Sequence, residues 1–487
     1  MRAPHSRFYR DHVPSPQACP EPRPRTYRAD PRILELGPDF YDPVAAADFP
    51  RAELRFRNQR HADAIGLGDL DHDQWLRHFG HFDPLPDNLP QPLALRYHGH
   101  QFRVYNPDIG DGRGFLFAQL RDSPRDDGRD RLLDLGTKGS GTTPWSRSGD
   151  GRLTLKGGVR EVLATEMLEA LGVDTSKTFS LIETGESLHR GDEPSPTRSA
   201  VLVRLQHSHI RIGTFQRLAY LDQPEPMRRL VSYCLRHLYG EEPGDDAPAR
   251  LLSLVVARTA RLAASYVAAG FVHGVLNSDN IAITAQSFDY GPWRFTPTWD
   301  PEFTAAYFDH QGLYAFGRQA QAIHWDVVQL AASLRLLSET EPLTEALTPF
   351  STLYNAAARD ALFARLGIAP RDEEADMALV AAMVAALGTS GIHIDRFFFD
   401  WRGGVRRRSS PADAAYDGEA FAAFRDAVVP YAAAPPRGGY WDDDAPCSMH
   451  IEEVEAIWAE IDARNDWAPF DAKIAAIRRM GAALLAC

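Results

Sequence analysis

Short apolar runs with strand-like spacing dominate the chain between residues 97 and 220. A single convincing helix interrupts them around 158–171, because its apolar residues fall on one stripe and Gly172 follows as a natural C-terminal cap. The strand-like runs, rich in Leu, Val, Phe and Ala, are 114–119, 132–135 and 199–205. This pattern predicts a β-rich unit that contains one helix.

Helical periodicity takes over after Pro224. The stretch 251–269 is strongly apolar and ends at Gly270, and further Ala- and Leu-rich helices follow Trp325. The segment 30–95 is rich in Pro and Asp, which indicates an extension that wraps the core rather than an independent domain. The sequence therefore predicts an α+β fold in three parts: an N-terminal extension (1–95), a small β-rich unit (96–222) and a larger helical unit with a C-terminal extension (223–487).

Composition excludes several function classes. The net charge of −13 opposes general nucleic-acid binding, which needs a basic face. No apolar run approaches the roughly 20 residues of a membrane span, and the Arg- and Pro-rich opening 1–28 lacks the features of a secretory signal or an amphipathic transit helix. The four scattered cysteines form no C-x-x-C motif. We expect a cytoplasmic protein without nucleic-acid or membrane partners, in which the basic stretch 402–408 is a solvated loop.

The first candidate for chemistry is a glycine-rich turn directly before the strand-like run 114–119. Gly110 and Gly112, with Arg113 beside them, would let backbone amides approach phosphate groups. An ordinary hairpin turn rich in Gly and Asp has the same sequence pattern and remains the alternative. A second turn of this kind, Asp150-Gly151, either folds over a nucleotide or merely connects two elements.

Lys138 closes the second strand-like run, and Glu161 lies on the helix that follows. In kinase-like folds a strand lysine contacts phosphates while a helix glutamate orients it. Glu166 and Glu169 lie on the same helix, so the pattern alone does not select the partner of the lysine.

The strongest local motif is His273-Gly-Val-Leu-Asn-Ser-Asp-Asn280, which aligns with the kinase catalytic loop H-R-D-L-x-x-x-N. The usual base position is then Val275, which cannot accept a proton, whereas Asp279 precedes the metal-binding asparagine. Asp289-Tyr-Gly291 fits the position of the D-F-G metal ligand, so Asn280 and Asp289 are predicted to bind a hard cation. As isolated tripeptides both motifs also occur in turns.

Two arginines, Arg204 and Arg211, fall in or just after the third strand-like run. A buried strand arginine needs an anionic partner, which is either a carboxylate of the protein or a bound polyphosphate. His207 and His209 lack further ligands at metal-binding spacing and are predicted to be packed or exposed histidines.

Taken in order, these motifs resemble the selenoprotein O family, pseudokinases that act as protein adenylyltransferases. The resemblance spans roughly 97–332 and implies a protein-kinase-like bilobal fold with a β-rich small lobe and a larger helical lobe. The motifs that carry it are Gly99-His-Gln-Phe102, Gly110-Asp-Gly-Arg113, Lys138-Gly-Ser-Gly-Thr-Thr-Pro-Trp-Ser-Arg147, Gly149-Asp-Gly-Arg152, Val159-Arg-Glu161, Ser208-His-Ile-Arg211, Asn277-Ser-Asp-Asn280, Asp289-Tyr-Gly-Pro292 and Asp309-His-Gln-Gly312.

The resemblance also implies a reaction: ATP binds in reverse orientation relative to kinases, and AMP passes to a Ser, Thr or Tyr hydroxyl of a protein substrate. Glu161 would orient Lys138, Asn280 and Asp289 would bind Mg²⁺ or Mn²⁺, and Asp279 would be the general base. The implied ATP contacts are Gly110, Gly112, Arg113, Lys138, Asp150, Gly151, Arg204 and Arg211.

Alternatives remain open at the level of sequence. They are an atypical kinase that transfers the γ-phosphate, a non-catalytic ATP-binding scaffold, and a transferase that uses UTP. The chain also departs from the family pattern. Arg103 stands where the family usually has glycine, no N-P-x-x-x-L-R-N segment follows Phe350, and Cys487 has no neighbouring cysteine for redox control. The protein targets and the oligomeric state do not follow from the sequence.

Overall fold

The computed structural model describes residues 26–122, 130–191 and 193–486, so most of the transit-like opening and Cys487 lie outside these ranges. The strands are β1 Tyr41–Pro43, β2 Glu53–Arg57, β3 Leu93–Leu95, β4 Gly99–Gln101, β5 Val104–Asn106, β6 Leu116–Arg121, β7 Leu132–Lys138, β8 Leu153–Thr154, β9 Lys177–Leu188, β10 Thr197–Gln206, β11 Phe271–Val272 and β12 Arg294–Phe295. The α-helices are α1 Gln59–Ala64, α2 His72–Phe79, α3 Leu155–Ala170, α4 Ile212–Tyr220, α5 Pro224–Tyr233, α6 Ala247–Ala269, α7 Gln319–Leu334, α8 Thr340–Leu347, α9 Phe350–Leu366, α10 Glu373–Ser390, α11 Ile394–Asp400, α12 Asp413–Tyr416, α13 Ala422–Val428, α14 Ile451–Arg464 and α15 Ala468–Leu485.

Eight strands form one antiparallel sheet in the order β1-β3-β6-β7-β10-β9-β2, with β8 paired to β10. The predicted runs 132–135 and 199–205 lie within β7 and β10, and 114–119 overlaps β6. Strands from the segment 30–95 form both edges of the sheet. The extension therefore shares hydrogen bonds with the core, while the predicted three-part division remains a prediction.

The prediction of a single helix between 97 and 220 is wrong, because α4 also lies there. Its nine residues offer little more than two turns of periodicity, which is too short for a clear pattern. Burial of Ile212, Phe215 and Leu218 in the core stabilises it.

Helix α3 packs across β9 and β10 and carries one of the candidate site residues. The Thr154 side chain accepts a hydrogen bond from the Gly157 amide at 3.1 Å and so caps its first turn. Gly158 allows close approach to the sheet, since a Cβ there would overlap Leu181 of β9. On its other side α3 is covered by α14 and α15, which explains why it is buried on most faces.

The long helix α6 is the centre of the helical part and packs against α7, α8 and α9. Of the helices that the structure describes, it alone has the length and hydropathy of a membrane span, a candidate that the sequence analysis did not name. Arg258 and Arg261 interrupt it, and 61% of its most apolar window is buried. Such burial is typical of a core helix.

The basic stretch 402–408 is not the solvated loop that was predicted. Arg402 is buried and donates hydrogen bonds to the carbonyl oxygens of Ala364 and Arg365 at 2.6 and 2.8 Å. Arg407 donates to the carbonyl oxygens of Phe399 and Trp441 in the same way. These guanidinium groups bind carbonyl oxygens near the C-terminal ends of α9 and α11 and at Trp441, and so hold the region together.

Candidate active site

Four charged side chains from separate elements meet at the inner end of β7. The Lys138 Nζ lies 2.6 Å from Glu161 Oε2 on α3 and 2.8 Å from Asp289 Oδ1. Arg204 on β10 approaches the same two carboxylates, at 3.4 Å and 3.5 Å. Lys138, Glu161 and Arg204 are buried. Because buried charges need partners, two cations and two carboxylates form a mutually compensated group.

The structure resolves which glutamate of α3 faces Lys138. Glu161 does so, whereas Glu166 pairs with Arg478 of α15 at 2.8 Å and Glu169 pairs with Lys177 and Arg60. Five positions rotate an α-helix by about 140°, so Glu166 points away from Lys138. Glu169, three positions after Glu166, lies beside it, and Arg60 approaches both. The kinase-like order of lysine and glutamate is thus present as a direct ion pair.

Asp289 occupies a special backbone position, with φ of 61°, in the left-handed region that Asp tolerates better than most residues. Burial by itself would raise the pKa of Asp289, but nearby cations, led by Lys138 and Arg204, hold that pKa well below its ordinary value. Arg113 is a further cation of this set although it is exposed. Asp289 is therefore ionised near neutral pH.

The motif 273–280 forms a loop that ends in a short 3-10 helix, Ser278–Asn280. The buried His273 donates its Nε2 hydrogen to the Phe288 carbonyl at 2.9 Å, which ties this loop to Asp289. Burial lowers the pKa of His273, so its ring remains neutral. The Asn280 side-chain amide donates to the Val275 carbonyl at 3.0 Å, which fixes the direction of its oxygen.

Arg211 joins this loop to the glycine-rich turn. Its guanidinium donates to the Asp279 carbonyl oxygen at 3.1 Å and to Asp111 Oδ1 at 3.3 Å, and stacks over Tyr97 at 4.1 Å. The anionic partner in this arrangement is a carboxylate of the protein, as the first of the two alternatives predicted. Burial raises the pKa of Asp111 despite the charge of Arg211. A more strongly charged ligand would therefore displace the Asp111 carboxylate from Arg211.

Asp279 is buried, with 8% of its surface exposed, and its Oδ1 has no hydrogen-bond partner among the described residues. Burial raises the pKa of Asp279 to about 6, although the nearby Arg211 charge opposes this. Gly99 of β4 packs directly against it, since an added Cβ would lie 3.0 Å from the Asp279 Cβ. A carboxylate with a free oxygen and a pKa near neutrality is suited to accept a proton.

The glycine-rich turn packs against Trp145. A Cβ on Gly110 would lie 2.5 Å from Trp145 Cγ, and one on Gly112 would lie 2.9 Å from the Trp145 carbonyl oxygen. Close packing alone therefore requires both glycines, which is what the hairpin-turn alternative predicts. The turn still lies beside the charged group, because Asp111 between these glycines contacts Arg211.

The second predicted turn is not joined to the charged group by any contact in the described part of the chain. Asp150 is half exposed, and its carboxylate accepts hydrogen bonds from Arg190 at 2.8 and 3.1 Å. Gly151 has φ of 69°, and a Cβ there would overlap Gly141. The structure thus assigns Gly151 a turn role and places Asp150 at the surface, while their contact with ATP remains a prediction.

Comparison with known proteins agrees with this arrangement of motifs. A family described as "Protein adenylyltransferase SelO" matches residues 25–416. The chain belongs to this family. A relative from Gloeobacter violaceus named "Protein nucleotidyltransferase YdiU" is 42% identical over 468 residues, which cover 92% of this chain and 95% of the relative. Proteins of the same name from Synechocystis sp. and Vibrio cholerae are 48% and 35% identical, over 70% and 75% of this chain and 70% and 73% of theirs.

The expected resemblance is therefore confirmed, and with it the class of enzyme. The chain is a protein nucleotidyltransferase of the SelO family, and the relatives named above are bacterial.

Arg103, the departure from the family pattern, has a backbone that explains the usual glycine. Its φ is 63°, in the left-handed region where a side chain costs about 1 kcal/mol or more. The Arg103 guanidinium stacks over Trp325 of α7 at 5.3 Å, which offsets part of this cost.

The sequence analysis named the motifs that contain Asn277 and Ser278 but did not predict the contacts of these two residues. The Asn277 Oδ1 accepts hydrogen bonds from the Phe102 amide at 3.0 Å and from the Tyr314 hydroxyl at 2.7 Å. The Ser278 hydroxyl accepts from the His100 amide at 2.7 Å. These partners are separated from the loop by up to 178 residues, so no local spacing indicates them.

A second buried carboxyl, Asp326 on α7, was also missed. It is 1% exposed, and its Oδ2 has no partner within residues 26–122, 130–191 and 193–486. Burial, and then the Asp279 charge, raise its pKa well above the ordinary value, while Arg103 opposes the shift. By contrast His209, predicted to be a packed or exposed histidine, is buried beside Asp134 at 3.2 Å.

Proposed function

We propose that this chain transfers AMP from ATP to hydroxyl side chains of proteins, in a kinase-like cleft between the sheet and the helical part. The observation that carries the proposal is the position of Asp279: a buried carboxylate with a free oxygen and a pKa of about 6, held next to Arg211. The base position of a conventional kinase is filled by Val275, which cannot accept a proton. Membership of the SelO family supports the same reaction.

The triphosphate of ATP would bind the cations of the site. Lys138, Arg204 and Arg211 are buried cations whose present partners are carboxylates of the protein. A polyphosphate carries more charge than any of these partners and offers bidentate acceptors to arginine. Gly110, Gly112, Arg113, Asp150 and Gly151 would complete the nucleotide contacts, and Glu161 would keep Lys138 in place.

Asn280 and Asp289 would hold a Mg²⁺ or Mn²⁺ ion. An amide oxygen and one ionised carboxylate suit a hard cation, which usually takes its remaining ligands from water and substrate phosphates. The remaining ligands would have to come from outside the chain, because no group of three or more His, Cys, Asp or Glu side chains among its described residues could hold a metal ion. When bound, the ion would neutralise charge on the polyphosphate. The residues of the chain itself then position the nucleotide and move the proton.

The reaction is a substitution at the α-phosphorus. The acceptor hydroxyl oxygen forms a bond to that phosphorus, the bond between the α-phosphorus and the bridging oxygen breaks, and pyrophosphate leaves. The hydroxyl proton passes to the Asp279 carboxylate, whose pKa of about 6 suits a proton acceptor. Arg211 would offset negative charge that develops nearby, because its position is fixed before the reaction begins.

Transfer from ATP labelled at the α-phosphate or at the γ-phosphate tests this function directly. The proposal predicts label on protein from the α position only, with release of pyrophosphate. Label from the γ position only would show an atypical kinase, and label from neither despite ATP binding would show a scaffold. Equal transfer from α-labelled UTP would extend the donor to a second nucleotide. Because ATP is the donor, we also propose a cytoplasmic location without nucleic-acid or membrane partners.

A further inference from the structure

Two segments border Asp279 on the outside of the cleft. The first is the β4–β5 hairpin, whose backbone donates hydrogen bonds to Asn277 and Ser278, the two residues before Asp279. The second is the segment 305–314. Ala305 packs on Gly274 at one end of this segment, and the Tyr314 hydroxyl bonds Asn277 at the other. Both segments are therefore fixed to the loop that carries the candidate base.

Each of these segments exposes large apolar side chains. Val104 at the hairpin tip is 71% exposed, Tyr307 is 80% exposed and Phe308 is 41% exposed. The two segments touch through Phe102 and Phe308, whose ring centroids are 5.8 Å apart, and Tyr307 packs edge-on against Phe308 at 5.1 Å. We name this surface, Val104, Phe102, Tyr307 and Phe308, the aromatic rim.

The rim is more than scattered exposure. Single exposed apolar residues are ordinary, but apolar side chains grouped around a functional site indicate a binding surface. Tyr and Phe supply large contact area at low entropic cost, and such residues are enriched in binding surfaces. Hydrogen bonds to the loop of Asp279 hold the rim in place, so a ligand would meet a preformed surface.

We propose that the aromatic rim docks the polypeptide segment that carries the acceptor hydroxyl and selects apolar side chains beside it. This inference rests on the proposed function, which requires a protein hydroxyl to reach Asp279. The rim is continuous with the segments that flank Asp279, so a chain that presents its hydroxyl there lies against Val104, Tyr307 and Phe308. The ligand is an extended polypeptide with an apolar or aromatic residue next to Ser, Thr or Tyr.

The test uses the full chain, α-labelled ATP and a set of synthetic peptides with one central serine and each neighbouring position varied in turn. Three proteins are compared: wild type, the double variant Tyr307→Ser/Phe308→Ser, and Val104→Ser. Two control variants have matched exposure elsewhere: Val429→Ser, at a residue that is 68% exposed, and Met377→Ser, at one that is 41% exposed. KM for peptide, KM for ATP, kcat and sedimentation are measured for each.

Wild type should prefer peptides with an apolar neighbour. The rim variants should raise KM for these peptides about tenfold, because each removes apolar contact area that the neighbouring residue of the peptide would bury. Their kcat and KM for ATP should stay within about twofold of wild type, like those of the controls. This result would support docking of the acceptor segment.

Four outcomes would overturn the inference. An unchanged KM for peptide in the rim variants would show that the rim does not bind the peptide. A raised KM for ATP would show that the rim binds the nucleotide. Loss of a dimer without a change in peptide KM would show that it binds a second copy of the chain. Equal AMP transfer by wild type to all the peptides would show that the rim does not select apolar neighbours of the serine. Absence of AMP transfer by wild type to any peptide or protein is a different result, because it refutes the proposed function itself.

Discussion

The charged groups on the two sides of the candidate cleft differ in their partners. On the side of the sheet, Lys138, Glu161 and Arg204 are joined with Asp289 in one compensated set. On the side of the helical part, Asp279 and Asp326 are buried carboxyls, each with an oxygen that has no partner in the described chain. The charges of the first set suit a ligand-binding site, and those of the second suit a proton-transfer site.

Under the proposed function, this contrast would separate nucleotide binding from proton transfer. Paired cations can exchange their carboxylate partners for phosphates at modest cost, because they remain neutralised before and after binding. A base, however, needs a pKa near the working pH, which strong pairing with cations would lower. Phosphate binding therefore favours paired charges, whereas proton transfer favours a carboxylate that is not strongly paired with cations.

The largest effect is expected at the paired set. Asp289→Ala should lower AMP transfer at least about 1000-fold, because it removes the carboxylate that neutralises Lys138 and would hold the metal, a contribution of several kcal/mol. The rate of label transfer from α-labelled ATP checks this. Asp360→Ala, at an exposed carboxylate paired only with Arg359, is the control and should match wild type. Full activity of Asp289→Ala would refute the metal assignment.

A smaller effect should separate two neighbouring glutamates of α3. Glu161→Gln should lower activity about 100-fold through misplacement of Lys138, and should also lower Tm because the buried Lys138 and Arg204 lose a carboxylate partner. Glu166→Gln should leave activity within about threefold of wild type but destabilise the fold by roughly 1.5–3 kcal/mol, since it weakens the charged hydrogen bonds to Arg478. Kinetics and urea denaturation of both variants check the assignment. Loss of activity in Glu166→Gln, together with near wild-type activity in Glu161→Gln, would contradict this assignment.

The raised pKa of Asp279 predicts how the free energy of unfolding depends on pH. The folded-state pKa of Asp279 lies above its unfolded value, so ionisation disfavours folding, and the penalty is present at pH 7 and absent below the unfolded pKa. Asp279→Asn should therefore raise the free energy of unfolding at pH 7 by up to about 3 kcal/mol, and by much less at pH 4. Urea denaturation at both pH values, with chelator present, measures the difference. A variant that is less stable at pH 7 would contradict the raised pKa of Asp279.

Sequence patterns predicted the local elements that bear the site better than the contacts among them. Lys138 at a strand end, Glu161 on a helix and the loop 273–280 could be placed because each has a local pattern. Local pattern alone could not choose among the three glutamates, and Glu161 was predicted only through the family resemblance. The partner of Glu166 is Arg478, which lies 312 residues further along the chain. Likewise α4 was missed because its stability comes from burial in the core rather than from its own periodicity.

The same limit applies to electrostatics. Sequence identifies Asp279 as a carboxylate one residue before Asn280, but only the fold shows that its oxygen is buried without a partner. The fold also places Asp150 at the surface beside Arg190, a contact that the spacing of these residues in the sequence does not predict. Burial and charge pairing arise from long-range packing, and for that reason the roles in the cleft needed the structure.

The central claim is that binding and chemistry are divided between the two sides of the cleft. The most direct test is Asp279→Asn, with ATP affinity measured by calorimetry and AMP transfer measured in a single turnover. The account predicts a Kd for ATP within about threefold of wild type and a transfer rate lower by roughly 10²–10⁴-fold. Loss of ATP binding with an unchanged rate for the bound fraction would contradict it, because Asp279 would then belong to the binding side.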